Sequence, residues 1–236
     1  MLEDRPEYRD LVAANRILAK EGVVDAFGHV SLRHPERPDR YVLARSLGPA
    51  LVTLADLMEF EQDGTPVDQR GRAVYLERMI HGAIYEARPD VTAVVHSHAA
   101  AVLPFAVTKS TLRPLFHLAS GMGRVAPVWD IRDTFGDTDL LVRDMAQGRD
   151  LARTLGASAC LLMRGHGAVV AGPTLKAAVI TAVYLQVNAT VQLAATQLGE
   201  PTFLSDGEIA KAAAATQSPV PLDRAWEYLC LRAGAD

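Results

Sequence analysis

The sequence predicts an α/β sandwich in which helices cover a mixed sheet. Apolar runs of period two alternate along the chain with longer stretches of helical period. Hairpins marked by glycine are mixed in among them, which argues against a purely parallel, doubly wound sheet. No composition break divides the 236 residues, so residues 1–236 are read as one domain.

The elements follow in order. Asp4, ahead of Arg5 and Pro6, predicts an N-cap and first turn. Tyr8, Leu11, Val12, Asn15, Leu18 and Ala19 then keep helical spacing as far as Glu21-Gly22. GHVSLRH and DRYVLA alternate as strands, Thr53 and Asp56 form a capping box, and EFEQDGTPV is a hairpin turning at Asp63-Gly64. A helix is expected over 74–87, ended by Pro89. The strand VTAVVHSH and a short helix over 99–107 follow, then the punctuated segment LRPLFHLASGMGRVAPVWD. Residues 137–155 read as one long amphipathic helix. ASACLLMRGHGAVVAG reads as two strands joined around Arg164-Gly165-His166-Gly167. A helix over 174–198 and two further helices complete the chain.

Composition narrows the function. A net charge of -4 with scattered basic residues exerts no general pull toward nucleic acid or acidic membranes. Cys160 and Cys230 form no metal-type pair and demand no oxidising compartment. The charged start MLEDRPEYRD has no apolar signal core. Lys176, Gln186, Asn188 and Gln192 mark the long apolar helix as a buried core helix rather than a membrane span. A cytoplasmic location is the expectation.

VTAVVHSHAAAV ends an apolar strand with His96 and His98, which leave one face of an extended backbone together. Neutral imidazoles are common ligands for divalent metals, and a catalytic site needs about three protein ligands and an open position. His166 is the third candidate, flanked by Gly165 and Gly167 in a tight approach before another strand. Glu77 is the candidate carboxylate, with His81 at i+4 expected to orient it. His34 is expected in solvent. A lone His-x-His pair is more often surface or hydrogen-bonded histidine, and Glu77 alone would suit an exposed helix; the conjunction carries the reading.

Those pieces resemble the class II aldolase/adducin family. FGHVSLR, YLERMIHGAIYEARPDVTAVVHSHAAAV and LLMRGHGAVVAG match in order and spacing, over about residues 7 to 200. The resemblance implies a three-layer α/β/α sandwich with a mixed, mainly antiparallel sheet. It implies His96, His98 and His166 as ligands of a divalent ion, zinc or manganese, with cobalt or ferrous iron also suited. It implies Glu77 as acid/base, and a homotetramer with sites at subunit interfaces.

Departures from the sugar-phosphate members point to the substrate. Their phosphate loops use small polar residues, where this chain has His29, Arg45-Ser46-Leu47 and Tyr75-Leu76. Leu76 donates no hydrogen bond and Tyr75 is bulky, so the oxyanion cradle is lost. Arg45 offers a planar fork for a carboxylate, with His29 and Ser46 donating beside it and Tyr75 also at the substrate; an ordinary ion pair is the plainer reading of Arg45. Phe116 and His117 border an aromatic ring, His117 as proton shuttle. The pattern is similar to family members that decarboxylate hydroxylated aromatic or pyridine dicarboxylates. It implies a carboxy-lyase of aromatic compound degradation acting through a metal-stabilised enolate. The alternatives are an aldehyde-lyase, epimerase or dehydratase on a sugar or sugar phosphate, and a non-catalytic scaffold domain.

Overall fold

The computed structural model describes residues 5–235. β1 (His29–Arg33), β2 (Arg40–Ala44), β3 (Leu57–Glu61), β4 (Ala93–Ser97), β5 (Val128–Trp129), β6 (Cys160–Met163) and β7 (Gly167–Gly172) form one sheet, ordered β3-β2-β1-β4-β7-β6-β5. The β5–β6 pair is parallel and every other neighbouring pair is antiparallel. This is the mixed, mainly antiparallel sheet that the resemblance implies.

Side-chain alternation along each strand feeds two cores. On one face, Val30, Val95 and Val170 pack against α1 (Pro6–Lys20), α6 (Leu175–Leu198) and α8 (Pro219–Ala233) through Leu11, Leu18, Ala178, Leu185 and Trp226. On the other, Leu43, Val94, Leu161 and Val169 meet α2 (Met79–Ala87) and α5 (Met145–Leu155) through Ile80, Ile84, Leu151 and Leu155. The short helices α3 (Leu103–Ala106) and α4 (Arg132–Phe135), and α7 (Asp206–Thr216), complete the layers.

α6 is long and apolar enough to cross a bilayer, but 61% of its most apolar window is buried within the protein. Its polar residues bind neighbouring backbone: Asn188 accepts from Leu115 N–H and donates to Arg113 O, and Gln192 does the same with Arg113 N–H and Thr111 O. Each buried amide thereby has a backbone partner for both its oxygen and its nitrogen.

Three local expectations change. The expected helix over 74–87 begins as a single 3-10 turn, Leu76–Arg78, within which Glu77 departs from helical geometry at φ -95, ψ 19, and becomes α-helical only at Met79. The helix expected over 137–155 is regular only as α5, because Asp144 caps it by accepting Gln147 N–H. Residues before that cap form a loop in which Leu140 takes a positive φ of 68 while Val142 is buried. His34 is buried rather than solvated; its Nδ1 accepts from Glu36 and Arg37 N–H, and its ring meets Tyr8. Asp4 lies outside the described residues; Pro6 does occupy the first turn of α1.

Candidate metal centre

β4 lies at the middle of the sheet, and both its neighbours deliver side chains to its end. His29 of β1 sits opposite His96 in register, so the two rings share a face. β7 pairs with the other edge, Ser97 opposite Ala168. Gly167 makes that approach possible, since a Cβ there would lie 2.0 Å from Ser97 O. His166, one residue earlier, is thereby carried to His98. The outcome is His98 Nε2 at 3.1 Å from His96 Nε2 and 3.0 Å from His166 Nε2. Glu77 Oε2 stands 3.4 Å from His96 Nε2 and 3.3 Å from His166 Nε2. One ligand atom from each of Glu77, His96, His98 and His166 lies within 4.8 Å of the others.

The donor chemistry fits a cation. His96 Nδ1 lies 3.2 Å from Ala168 O and His166 Nδ1 lies 2.8 Å from Leu140 O. A carbonyl only accepts, so both rings carry the proton on Nδ1 and turn an Nε2 lone pair inward. Lone pairs converging at such distances repel unless a positive charge lies among them. Burial, and then the facing His96 and His166, push the His98 imidazole down to about 4. Burial alone would raise the Glu77 carboxyl, but His96 and His166 outweigh it and hold Glu77 well below the usual carboxylate range. Burial likewise opposes protonation of His166, and its contact with Glu77 reverses the sign and raises it.

Glu77 is aimed from both sides. Tyr41 donates to Arg78 O at 2.9 Å, and Arg78 Nε donates to Gly64 O at 2.6 Å, tying the 3-10 turn to the sheet and to the β3 hairpin. Glu77 Oε1 accepts Val142 N–H at 3.0 Å, which leaves Oε2 for the cluster. The loop before α5 thus supplies two backbone groups, Leu140 O and Val142 N–H, that the sequence reading assigned to a helix. The run Gly136-Asp137-Thr138-Asp139 and the capping pair Asp144/Gln147 were the available signals for a loop.

The remaining candidates fall at different places. His29 is buried, and its Nδ1 meets His81 Nε2 at 2.6 Å. His81 therefore does not orient Glu77: the break at Glu77 takes it off the α2 face, and His81 Nδ1 instead meets Ser31 Oγ at 2.6 Å. Burial and the neighbouring imidazoles lower His29, and burial with His96 pushes His81 down to about 3. Arg45 Nε pairs with Asp56 at 2.6 Å, leaving its two terminal nitrogens without a partner among the described residues. Ser46 is exposed, its N–H bonded to Ala73 O. Tyr75 packs against His29 and donates its hydroxyl to Leu47 O. His117 is exposed beside a cleft of about 810 Å³ between α6 and α8, which contains no member of the cluster. Sequence reasoning passed over Phe27, which is 66% exposed with its ring 6.4 Å from His98.

A cluster that could hold a cation thus sits at the ends of the central strands of a three-layer α/β/α sandwich. The family model for the class II aldolase and adducin N-terminal domain matches residues 9–193, and the chain belongs to that family. It is 36% identical over 212 residues to the decarboxylase tropJ of Talaromyces stipitatus, covering 84% of this chain and 80% of that protein. It is 28% identical over 210 residues to the 3,4-dihydroxyphthalate decarboxylase of Arthrobacter keyseri, covering 81% and 79%. Among solved structures, an L-fuculose 1-phosphate aldolase from Glaciozyma antarctica superposes with a TM-score of 0.76 at 25% identity, over 96% of this chain and 88% of that one. Decarboxylases and aldolases are both lyases, and the chain is an enzyme of that broad class.

Proposed function

We propose that this protein is a metal-dependent decarboxylase of a hydroxylated aromatic dicarboxylate, of the dihydroxyphthalate or hydroxypyridine-dicarboxylate kind. The observation that carries the reading is the substrate side of the cluster. The positions where sugar-phosphate enzymes place short hydroxyls hold Tyr75, whose hydroxyl is bonded to Leu47 O, and Leu76, which is 54% exposed. Such a wall favours a flat ring over a phosphate. The similarity to decarboxylases in sequence supports the same reaction.

His96, His98 and His166 hold the ion in this proposal, zinc or manganese first. Bound there, the ion supplies Lewis-acid stabilisation of an anionic oxygen on the substrate. Arg45, steadied by Asp56, binds the carboxylate that is retained through its free terminal nitrogens, with Ser46 beside it. Glu77 moves the proton. Anchored through Oε1, it takes a proton at Oε2 early in the cycle and returns it to the ring carbon that loses CO2. Phe27 forms one wall for the ring. The homotetramer, the cytoplasmic location and a shuttle role for His117, which lies apart from the cluster within one chain, belong to the same proposal.

The test is CO2 release by zinc- or manganese-loaded protein from 3,4-dihydroxyphthalate, with Glu77→Gln losing turnover but still binding the metal. Normal turnover by Glu77→Gln removes Glu77 from the chemistry. Retro-aldol cleavage of a sugar phosphate, with no decarboxylation, selects the aldolase reading that the Glaciozyma antarctica structure favours.

A further inference from the structure

A line of hydrogen bonds leaves the centre through the layer between β1 and α2. His29 and Ser31 are two apart on β1 and so face the same side. His81 and Tyr85 are four apart on α2 and form the matching row. His29 Nδ1 to His81 Nε2 is 2.6 Å, His81 Nδ1 to Ser31 Oγ is 2.6 Å, Ser31 Oγ to Tyr85 OH is 2.8 Å, and Tyr85 OH to Thr92 O is 3.4 Å. All four side chains are buried. The other nitrogen of His29, Nε2, has no hydrogen-bond partner among the described residues, and the ring lies 5.1 Å from that of His96.

The bonds have a direction. A backbone carbonyl only accepts, so Tyr85 donates to Thr92 O. Ser31 then donates to Tyr85, His81 Nδ1–H donates to Ser31, and His29 Nδ1–H donates to His81 Nε2. That order makes every bond in the line. The reverse order leaves the Tyr85–Thr92 bond unmade and moves the single His29 proton from Nδ1 to Nε2. We infer that His81, Ser31 and Tyr85 are positioning residues that hold His29 with its proton on Nδ1. His29 Nε2 then faces the substrate as a hydrogen-bond acceptor for a hydroxyl. The inference rests on the decarboxylase reading for the substrate alone, and it changes the expected role of His29. A lone pair cannot donate to a carboxylate; it selects the hydroxyl of the ring and disfavours an analogue without one.

The test uses zinc-loaded, full-length protein with 15N-labelled histidine. Two-bond 1H–15N correlations report which ring nitrogen carries hydrogen, with His29 assigned by the signal lost in His29→Gln. The expected wild-type result is a protonated Nδ1 and a bare Nε2 on His29. In Tyr85→Phe the Ser31 hydroxyl loses its acceptor and turns to His81, so the His29 proton moves to Nε2. The same variant is expected to weaken 3,4-dihydroxyphthalate about 10-fold, the scale of one hydrogen bond, while phthalate changes less than about two-fold. A wild-type His29 protonated on Nε2, or equal weakening of both ligands, overturns the inference. A correct tautomer in a protein that binds neither ligand overturns the substrate reading and leaves the line of bonds standing.

Discussion

Replacing Gly167 by alanine tests whether the close approach of β7 to β4 assembles the centre. The added Cβ would lie 2.0 Å from Ser97 O, 3.0 Å from Ser97 C and 3.2 Å from His98 Cα. An unstrained carbon–oxygen contact is about 3.3 Å, so the two segments must part by roughly 1 Å. That displacement falls between the residues carrying His98 and His166, whose Nε2 atoms now stand 3.0 Å apart. A metal site tolerates about 0.2 Å in its ligand distances. The fold itself loses only the cost of overpacking, about 1–3 kcal/mol, or several degrees in Tm at about 2–4 °C per kcal/mol. Zinc affinity should fall about 100-fold, the upper scale for disturbed ligand support, measured by competition with a chromophoric chelator. Melting in excess chelator isolates the stability term. Gly165→Ala is the control: its Cβ would meet Leu140 Cδ1 at an ordinary 3.6 Å, so only the φ of +66 costs, and zinc should stay bound. Zinc affinity within about three-fold of wild type in Gly167→Ala would refute the reasoning.

Three further outcomes are expected. Chelating the metal from purified protein should lower Tm, because an ion at 1,000 times its Kd stabilises by about 4 kcal/mol; His98→Ala should melt at the same temperature with or without zinc. Gly82→Ala should destabilise far more than a helix glycine normally would, since its Cβ would lie 1.8 Å from Gln62 O and force α2 off the β3 hairpin; unchanged urea midpoints would contradict this. His81 is buried and pushed down to about 3, below the 6.5 of the unfolded chain, so its contribution is whole above pH 6.5 and drains away as pH falls toward 3. Urea unfolding of metal-free protein should therefore lose roughly 1 kcal/mol per pH unit through this group, and His81→Gln should show a shallower acid slope.

Much of the centre was legible because side-chain identity and spacing carried it. His96 and His98 share a face by strand geometry alone, and glycines on both sides of His166 announce a close backbone approach. The sandwich was legible for a similar reason, since alternation and helical period each name a buried face. His34 was misplaced because a polar, proline-rich context speaks for solvent, while the bonds to Glu36 and Arg37 N–H that bury it are made by backbone. Arg45 shows what residue chemistry leaves undivided: its Nε pairs with Asp56, while its terminal nitrogens keep the fork proposed for a carboxylate.

The parts that stayed hidden are those in which the backbone does the work. Leu140 O orients His166 and Val142 N–H anchors Glu77, yet any residue type offers the same carbonyl and amide. The apolar Leu140, Leu141 and Val142 fit a helical stripe as well as they fit an inward-turning loop, so periodicity could not separate the two. The break at Glu77 was hidden in the same way. Continuous helical spacing from Glu77 predicts His81 on its own face, whereas the 3-10 turn pinned by Tyr41 and Arg78 swings Glu77 to the cluster and leaves His81 to His29. Both deviations come from contacts between segments distant in the chain, and both fall on the groups that aim the ligands. Local pattern therefore identifies which side chains a cation would use, and tertiary hydrogen bonds decide which of their atoms face it.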